Sequence, residues 1–123
     1  TASDALVELV DLPVTFMDYG DAEALPDSDG LSMRPLLEGA SDKHREFAIS
    51  GMSVTGEPGT YPLHRTLWDV IWDGRWKLVH RHEEPDLLFD LANDPWESND
   101  LAASHPEIAA RLSEPLQAEL ARP

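Results

Sequence analysis

The strongest structural signal in the sequence is a pair of β-rich runs, residues 65–72 and 75–82, on either side of Asp73-Gly74. The runs read RTLWDVIW and RWKLVHRH, and they are rich in the aromatic and β-branched residues that strands favour. An Asp-Gly pair adopts the positive backbone angles of a tight hairpin turn at little cost. The sequence therefore predicts an antiparallel hairpin.

Two further strands are predicted around this hairpin, at residues 45–50 (REFAIS) and 87–91 (LLFDL). The later strand stops at a corner, because Pro95 has no amide to donate and disfavours helix at Asp94. Asn93 and Asp94 can bond their own backbone in a turn. We therefore expect four strands, after which the chain is turned across one face of the sheet.

The chain ends in a predicted helix with one apolar stripe. Leucine and isoleucine recur every four residues, at Ile108, Leu112, Leu116 and Leu120. Ser104 and Glu107 have the spacing of a capping box, and Pro115 is expected to kink the helix. The stripe is expected to pack on the sheet, because the tryptophan and leucine side chains of the sheet would otherwise be exposed to solvent.

The N-terminal part is predicted to hold two short helices, because apolar residues recur at helical spacing over residues 4–19. Pro13 interrupts the pattern, so the first helix is expected to end near Val10. The second is expected to begin with Asp11 as its cap and to stop at Gly20. Residues 21–44, rich in proline and glycine, predict a long irregular segment.

These elements predict an α+β fold: a small four-stranded antiparallel sheet with a C-terminal helix on one face, preceded by two short N-terminal helices and a long irregular segment. A chain of 123 residues suits one core at most. We expect residues 1–44 to form the N-terminal helices and irregular segment, and residues 45–123 to form the sheet-and-helix subdomain.

The charge of the chain narrows the classes of partner. It carries 24 acidic and 9 basic residues, for a net charge of −15, so nucleic acid and anionic membranes are poor partners. The absence of cysteine excludes disulfides, thiolate metal sites and a cysteine nucleophile. No apolar run approaches the roughly 18–20 residues of a membrane span. No compartment follows from these features.

Two groups of residues are candidates for chemistry. His80 and His82 face the same way in a strand and could bind a metal with a carboxylate. A strand face running out to solvent is the favoured interpretation, because a zinc site needs three or four convergent ligands and only two are found here. Tyr61, His64 and Arg65 lie where a Gly/Pro-rich loop meets a strand, a place where binding residues often occur. Local ion pairs and surface position are the alternative for these three.

The tryptophans are predicted to serve packing. Trp68, Trp72 and Trp76 share parity along the hairpin, and Trp96 follows just past the corner. Core or interface packing is the expected role of such residues, and a platform for stacking sugars is the alternative.

Four segments taken together resemble the C-terminal part of type I sulfatases and the related phosphonate monoester hydrolases of the alkaline phosphatase superfamily. The family shows V-D-x-x-P-T, D-G-x-S-L-x-P-L-L-x-G, a W/Y-K-L/Y-I/V strand and L-Y/F-D-L-x-x-D-P-x-E-x-x-N/D-L-A. The corresponding residues here are 10–15, 29–39, 76–79 and 88–102. Pro13 sits one place earlier than the family's proline, and Met33 replaces a leucine.

The resemblance implies a parent enzyme that hydrolyses sulfate esters or related phosphonate or phosphate esters. In such enzymes the nucleophile is a formylglycine made from the first residue of C/S-x-P-x-R, and the metal is commonly calcium. This chain has neither that motif nor an upstream metal-ligand segment, so no catalytic and no metal-binding residue is carried over. Tyr61, His64 and Arg65 remain candidates for the rim of a substrate cleft.

Two functions from different classes follow. The chain is expected to be the C-terminal subdomain of a sulfatase-like hydrolase, structural and rim-forming, inactive alone, and partnered by a missing N-terminal catalytic domain of the same protein. The alternative is a free-standing acidic module for protein interaction or dimerisation, with the tryptophan-bearing hairpin as its surface. A homo-oligomer is left open as a further partner, and the chain by itself is expected to need no cofactor.

Overall fold

The computed structural model describes residues 2–23, 25–54, 65–82 and 84–122. These residues contain three helices and a four-stranded antiparallel sheet, so the predicted α+β fold is confirmed. The helices are α1 (Asp11–Tyr19), α2 (Arg34–Leu37) and α3 (Pro106–Leu120), and the strands are β1 (Ala48–Val54), β2 (Arg65–Trp72), β3 (Trp76–Arg81) and β4 (Leu87–Asp90).

The chain divides into two compact units, Thr1–Ala48 and Ile49–Pro123. The first holds α1 and α2, and the second holds almost all of the sheet together with α3. The expectation that residues 1–44 continue from a catalytic domain stays a prediction.

The first unit differs from the sequence prediction at its start. The helix expected to end near Val10 is absent, and Leu6 instead forms an isolated antiparallel bridge with Arg45. Leu6 is buried, so it packs from an extended segment rather than from a helical face. The prediction of a helix there is wrong because the tertiary partner at Arg45 outweighs the local helical spacing.

The helix α1 begins and ends where the sequence indicates, but Asp11 is not its cap. Val10 occupies the cap position, and the Asp11 side chain accepts the amide of Glu8 at 2.8 Å instead. Gly20 ends the helix as predicted, and its amide donates to the carbonyl of Phe16 at 3.0 Å. The short helix α2 forms within the segment predicted to be irregular.

The hairpin is confirmed, with its turn one residue later than the sequence suggests. Trp72 pairs with Lys77, and the Asp73 amide donates to the Trp76 carbonyl at 3.2 Å, so Gly74 and Arg75 are the two turn residues. Gly74 has φ +95°, which an L-residue with a side chain rarely adopts. The Asp73 carboxylate accepts the amides of Arg75 and Trp76, at 2.9 and 2.6 Å.

The strands follow in the spatial order β1-β2-β3-β4. β1 begins at Ala48 rather than at residue 45, because Arg45 is committed to the side chain of Asp11 in the first unit. β4 covers four residues and ends at Asp90, one residue before the predicted end.

The core of the second unit lies between α3 and one face of the sheet. Ile71, Leu78 and Leu88 are direct cross-strand neighbours, and Leu112 and Leu116 come from the stripe of α3; all five side chains are fully buried. The predicted stripe is therefore confirmed. Pro115 lies inside the helix, which continues beyond it to Leu120.

The predicted capping box of α3 is wrong. The helix begins at Pro106 with His105 in the cap position, and the Ser104 hydroxyl donates to the carbonyl of Leu101 at 3.1 Å. Proline suits the first turn because the amide it lacks would have no partner there. The start of the helix is therefore fixed by Pro106, two residues after the predicted cap.

The tryptophans of the hairpin do not share a face. The register that pairs Trp72 with Lys77 puts Trp68 and Trp72 on one face of the sheet and Trp76 on the other, beside α3. The Trp76 ring contacts the ring of His105, with centroids 5.4 Å apart. The two-residue turn pairs each even-numbered residue of β2 with an odd-numbered residue of β3, so even-numbered residues on the two strands face opposite sides of the sheet.

Candidate functional site

The residues predicted for a substrate rim are largely beyond what can be described. Tyr61 and His64 lie outside the described residues, and Arg65 opens β2 with a side chain that is not described. Their role at a rim therefore stays a prediction.

The most concentrated polar site of the first unit is built on the carboxylate of Asp11, which is completely buried at the first position of α1. It accepts hydrogen bonds from the Arg45 guanidinium and from His44 Nε2, the latter at 3.0 Å. Two amides complete the shell, from Glu8 and from Leu31, each at 2.8 Å. The site is thus a closed, fully bonded anion.

The pKa of Asp11 reflects this shell. Burial would raise the pKa of the carboxyl, but the hydrogen bonds from Arg45, from the amides of Leu31 and Glu8 and from His44 outweigh burial and hold it well below its ordinary value. Arg45 carries a raised pKa for the reciprocal reason, its hydrogen bonds to Asp11. Asp11 and Arg45 therefore form an ion pair in the folded protein, and the Asp11 carboxylate has no lone pair left for a ligand.

The first two motifs that carry the family resemblance are bonded to each other. The Thr15 hydroxyl donates to the Asp11 carbonyl at 2.7 Å and accepts the amide of Met33 at 2.9 Å. The Ser32 hydroxyl donates to Asp18. A side chain at Gly30 would place its Cβ 2.2 Å from the Val10 carbonyl oxygen, so only glycine allows the second motif to lie this close to α1.

The corner after β4 is organised by Asp90. Arg75, in the hairpin turn, binds its carboxylate with two parallel hydrogen bonds, Nε at 3.0 Å and Nη2 at 2.7 Å. Asn93 and the amide of Ala92 add two more, at 2.8 and 3.3 Å. Hydrogen bonds from Arg75, and then those from Asn93 and Ala92, lower the pKa of Asp90 to about 2 against the opposing effect of burial.

The chain beyond the corner runs along the outer edge of β4. The Leu101 amide donates to the Leu88 carbonyl at 2.8 Å, and the Leu88 amide donates to the Asp100 carboxylate at 3.1 Å. Lys77 reaches Glu97 with an ion pair of 2.7 Å. The corner motif therefore protects a strand edge that would otherwise present unpaired backbone groups.

His80 and His82 lie together, as their strand parity predicts, with ring centroids 4.9 Å apart. Each has a carboxylate partner: His80 Nδ1 lies 2.9 Å from Asp86 Oδ1, and His82 Nε2 lies 2.8 Å from Asp69 Oδ2. Asp69 is buried, and it stands opposite His80 in the register of β2 and β3.

Neither a larger metal centre nor a membrane span is found where the structure can be read. Among the described residues no three or more histidine, aspartate or glutamate side chains are placed to hold a metal ion together. Within the same residues, no helix combines the length and the apolar character needed to cross a membrane.

The Asp11–Arg45 pair was not found by sequence reasoning, which treated Asp11 as a helix cap and Arg45 as a strand residue. The two residues are 34 positions apart, so no local pattern links them. The available signal was the aspartate of V-D-x-x-P-T, which points to a required carboxylate without naming its partner.

Comparison with known proteins confirms the resemblance seen in the sequence. No protein-family model matches the chain. Arylsulfatase K of Xenopus laevis is 28% identical over 118 residues, which cover 91% of this chain and 22% of that protein. The phosphonate monoester hydrolase of Agrobacterium radiobacter has the same fold over 88% of this chain and 23% of its own, with 26% identity and a TM-score of 0.72.

A 2-O GAG sulfatase is a further structural neighbour, with a TM-score of 0.69, 22% identity and coverage of 89% of this chain and 24% of its own. At that identity the likeness shows the fold alone. The chain therefore spans between 22% and 24% of the length of these relatives. It is similar to a part of sulfatase-like hydrolases.

Proposed function

We propose that the chain is the C-terminal subdomain of a sulfatase-like hydrolase. It would buttress a catalytic domain and shape the outer rim of the substrate cleft. The parent protein would hydrolyse sulfate esters or related phosphonate or phosphate esters; the relatives are named as sulfatases and as a phosphonate monoester hydrolase. The single observation that carries the proposal is that the charged residues of the matching motifs are bonded within the chain.

The bonding of those motif residues favours a structural role. The carboxylate of Asp11 is enclosed by Arg45, His44 and two amides, and that of Asp90 is held by Arg75 and Asn93. A catalytic or metal-binding carboxylate keeps an accessible lone pair for its ligand, whereas these two serve as internal anchors. Their arrangement fits scaffolding better than chemistry.

The sulfatase relatives imply a metal-dependent parent, and the residues described here do not fit that metal or a formylglycine. The chain has no cysteine and no S-x-P-x-R sequence, so it lacks the precursor of formylglycine. The carboxylates of Asp11 and Asp90 are already neutralised by arginine, which leaves neither of them a charge for calcium. The metal, calcium by the family resemblance, and the nucleophile would belong to the catalytic domain.

One exposed surface suits contact with that domain. Leu9, Leu12 and Phe16 follow helical spacing at and within α1, and their exposed fractions are 83%, 41% and 71%. Apolar side chains grouped on the surface of a small unit mark contact sites more often than they mark free surface. We propose that this side of α1 faces the catalytic domain.

The first test is an activity assay of the isolated chain. With an aryl sulfate and calcium, we expect no turnover above a heat-killed control, because the nucleophile would be elsewhere. Metal-dependent turnover by the isolated chain would contradict the proposal. The coding sequence before Thr1 is the second check, since the proposal expects a C/S-x-P-x-R motif upstream.

The alternative function, an acidic interaction or dimerisation module, is favoured by a different observation. Trp96 is 86% exposed at the corner, and Phe16 is 71% exposed on α1. Exposed aromatic side chains are typical anchors of protein–protein contacts. Sedimentation over a range of protein concentrations distinguishes the two. A reversible dimer that is weakened by Trp96→Ser would favour the module, and a monomer at all concentrations would oppose it.

A further inference from the structure

We propose that His80 and His82 form a two-ligand site for a divalent transition-metal ion such as Zn²⁺. The ion would be bound by the two ring nitrogens that the aspartate partners leave free, with water in the remaining positions. This inference stands independently of the proposed function.

The backbone places the two imidazoles together. His80 belongs to β3, and His82 is the turn residue directly after Arg81, where the strand ends. Their ring centroids lie 4.9 Å apart. β3 is hydrogen-bonded to β2 on one side and to β4 on the other. A site at the end of such a strand is held more firmly than one on a free loop.

Among the described residues, the hydrogen bonds leave one nitrogen of each ring available. His80 uses Nδ1 for Asp86, which leaves Nε2, and His82 uses Nε2 for Asp69, which leaves Nδ1. Histidines that bind metals nearly always pass their other nitrogen to a carboxylate or carbonyl in this way, which fixes the ring and makes the free nitrogen more basic. Both histidines already have that supporting partner.

Charge and access also suit a cation. Asp69 and Asp86 supply two negative charges, enough to balance a divalent ion. The histidine side chains are 26% and 37% exposed, so an ion can reach them from solvent. The net charge of −15 further raises the local concentration of cations around the chain.

The ligand chemistry selects the class of ion. Imidazole nitrogens suit Zn²⁺, Cu²⁺ and Ni²⁺, whereas Ca²⁺ and Mg²⁺ require oxygen ligands. A closed structural zinc site has four protein ligands. A site with two protein ligands is open and reversible, with water in the remaining positions.

The test is titration of the chain with Zn²⁺ by calorimetry at neutral pH. We expect one ion per chain, and a loss of affinity of about tenfold or more in His80→Ala and in His82→Ala. His105→Ala is the matched control, because His105 is an exposed histidine of the same unit that pairs with Glu107 rather than with this cluster. The Zn²⁺ affinity of His105→Ala should stay within about twofold of that of the unsubstituted chain.

Asp86→Asn separates support from ligation, because it keeps both imidazoles and replaces only the partner of His80. We expect Zn²⁺ affinity to fall by about 10- to 100-fold in this variant. Cu²⁺ bound to the parent chain should show two nitrogen ligands by electron paramagnetic resonance. Circular dichroism of each variant shows whether the fold is kept.

The proposal is overturned if the unsubstituted chain binds no Zn²⁺. It is also overturned if the double variant His80→Ala/His82→Ala binds Zn²⁺ as tightly as the unsubstituted chain, since the many surface carboxylates would then hold the ion. If an alanine variant fails to fold, the ring protons of His80 and His82 in the parent chain decide the matter. They must shift together on addition of Zn²⁺, and unshifted resonances would end the proposal.

Discussion

Asp11 and Asp90 both precede a leucine in the sequence and look alike there, yet each anchors a different unit of the protein. Asp11 is fully buried and holds the start of α1 to Arg45 and to the Leu31 amide. Asp90 holds the end of β4 to Arg75 in the neighbouring turn. Single residues therefore connect segments that the sequence keeps far apart.

Asp90 gives the second unit a dependence on pH. Because the pKa of Asp90 in the folded protein is lowered from 3.8 to about 2, the charged form stabilises the fold at pH values above the unfolded pKa. That stabilisation is lost as the pH falls from about 4 towards about 2. We expect Asp90→Asn to be less stable than the unsubstituted chain at pH 6, and the difference in the free energy of unfolding to shrink on acidification.

Urea unfolding of the two proteins at several pH values measures this difference. Asp94→Asn is a suitable control, because Asp94 lies at the same corner without the arginine partner of Asp90. If the difference in the free energy of unfolding between the unsubstituted chain and Asp90→Asn stays constant from pH 6 to pH 2, the lowered pKa assigned to Asp90 is contradicted.

At the scale of elements, the sequence predicts the second unit well because its signals are local. The strands around Gly74, the end of β4 before Pro95 and the stripe of Leu112 and Leu116 all depend on neighbours within a few residues. The first unit is predicted less well, because Leu6 and Asp11 are positioned by Arg45. The start of α3 is missed for a smaller reason, since Ser104 offered a plausible cap close to Pro106.

The stripe of α3 should contribute unequally along its length. Leu116 is fully buried, whereas Leu120 is 42% exposed on the same stripe. We expect Leu116→Ala to reduce the free energy of unfolding by about 2–5 kcal/mol, from lost apolar burial and the cavity left behind. Leu120→Ala should change it by only about 0.5 kcal/mol.

Chemical denaturation followed by tryptophan fluorescence measures both values. Equal costs at the two positions would mean that α3 does not pack through the middle of its stripe. Such a result would also remove the physical reason for the helical spacing that predicts this element.

At the scale of the whole molecule, the dominant property is the surplus of acid. With 24 acidic and 9 basic residues, mutual repulsion opposes the compact state even though several acids are paired with arginine or lysine. Salt screens this repulsion, since the Debye length falls from about 30 Å at 0.01 M to about 8 Å at 0.15 M. We expect sodium chloride over this range to raise the thermal midpoint.

The control for the salt response is a chain with less surplus charge. Replacing exposed acids such as Asp4 and Asp42 with lysine should flatten the dependence on salt without altering the fold. A thermal midpoint that falls with added salt would indicate instead that the exposed ion pairs outweigh the repulsion.

The bond between Asp11 and Arg45 also sets an order of events during translation. Ribosomes deliver the aspartate first, and the arginine that neutralises it is added only after the 33 intervening residues have been made. Until then the segment around Asp11 carries a carboxylate without the guanidinium that neutralises it in the folded unit. We therefore expect protection of this segment from proteases to rise sharply once Arg45 has left the exit tunnel.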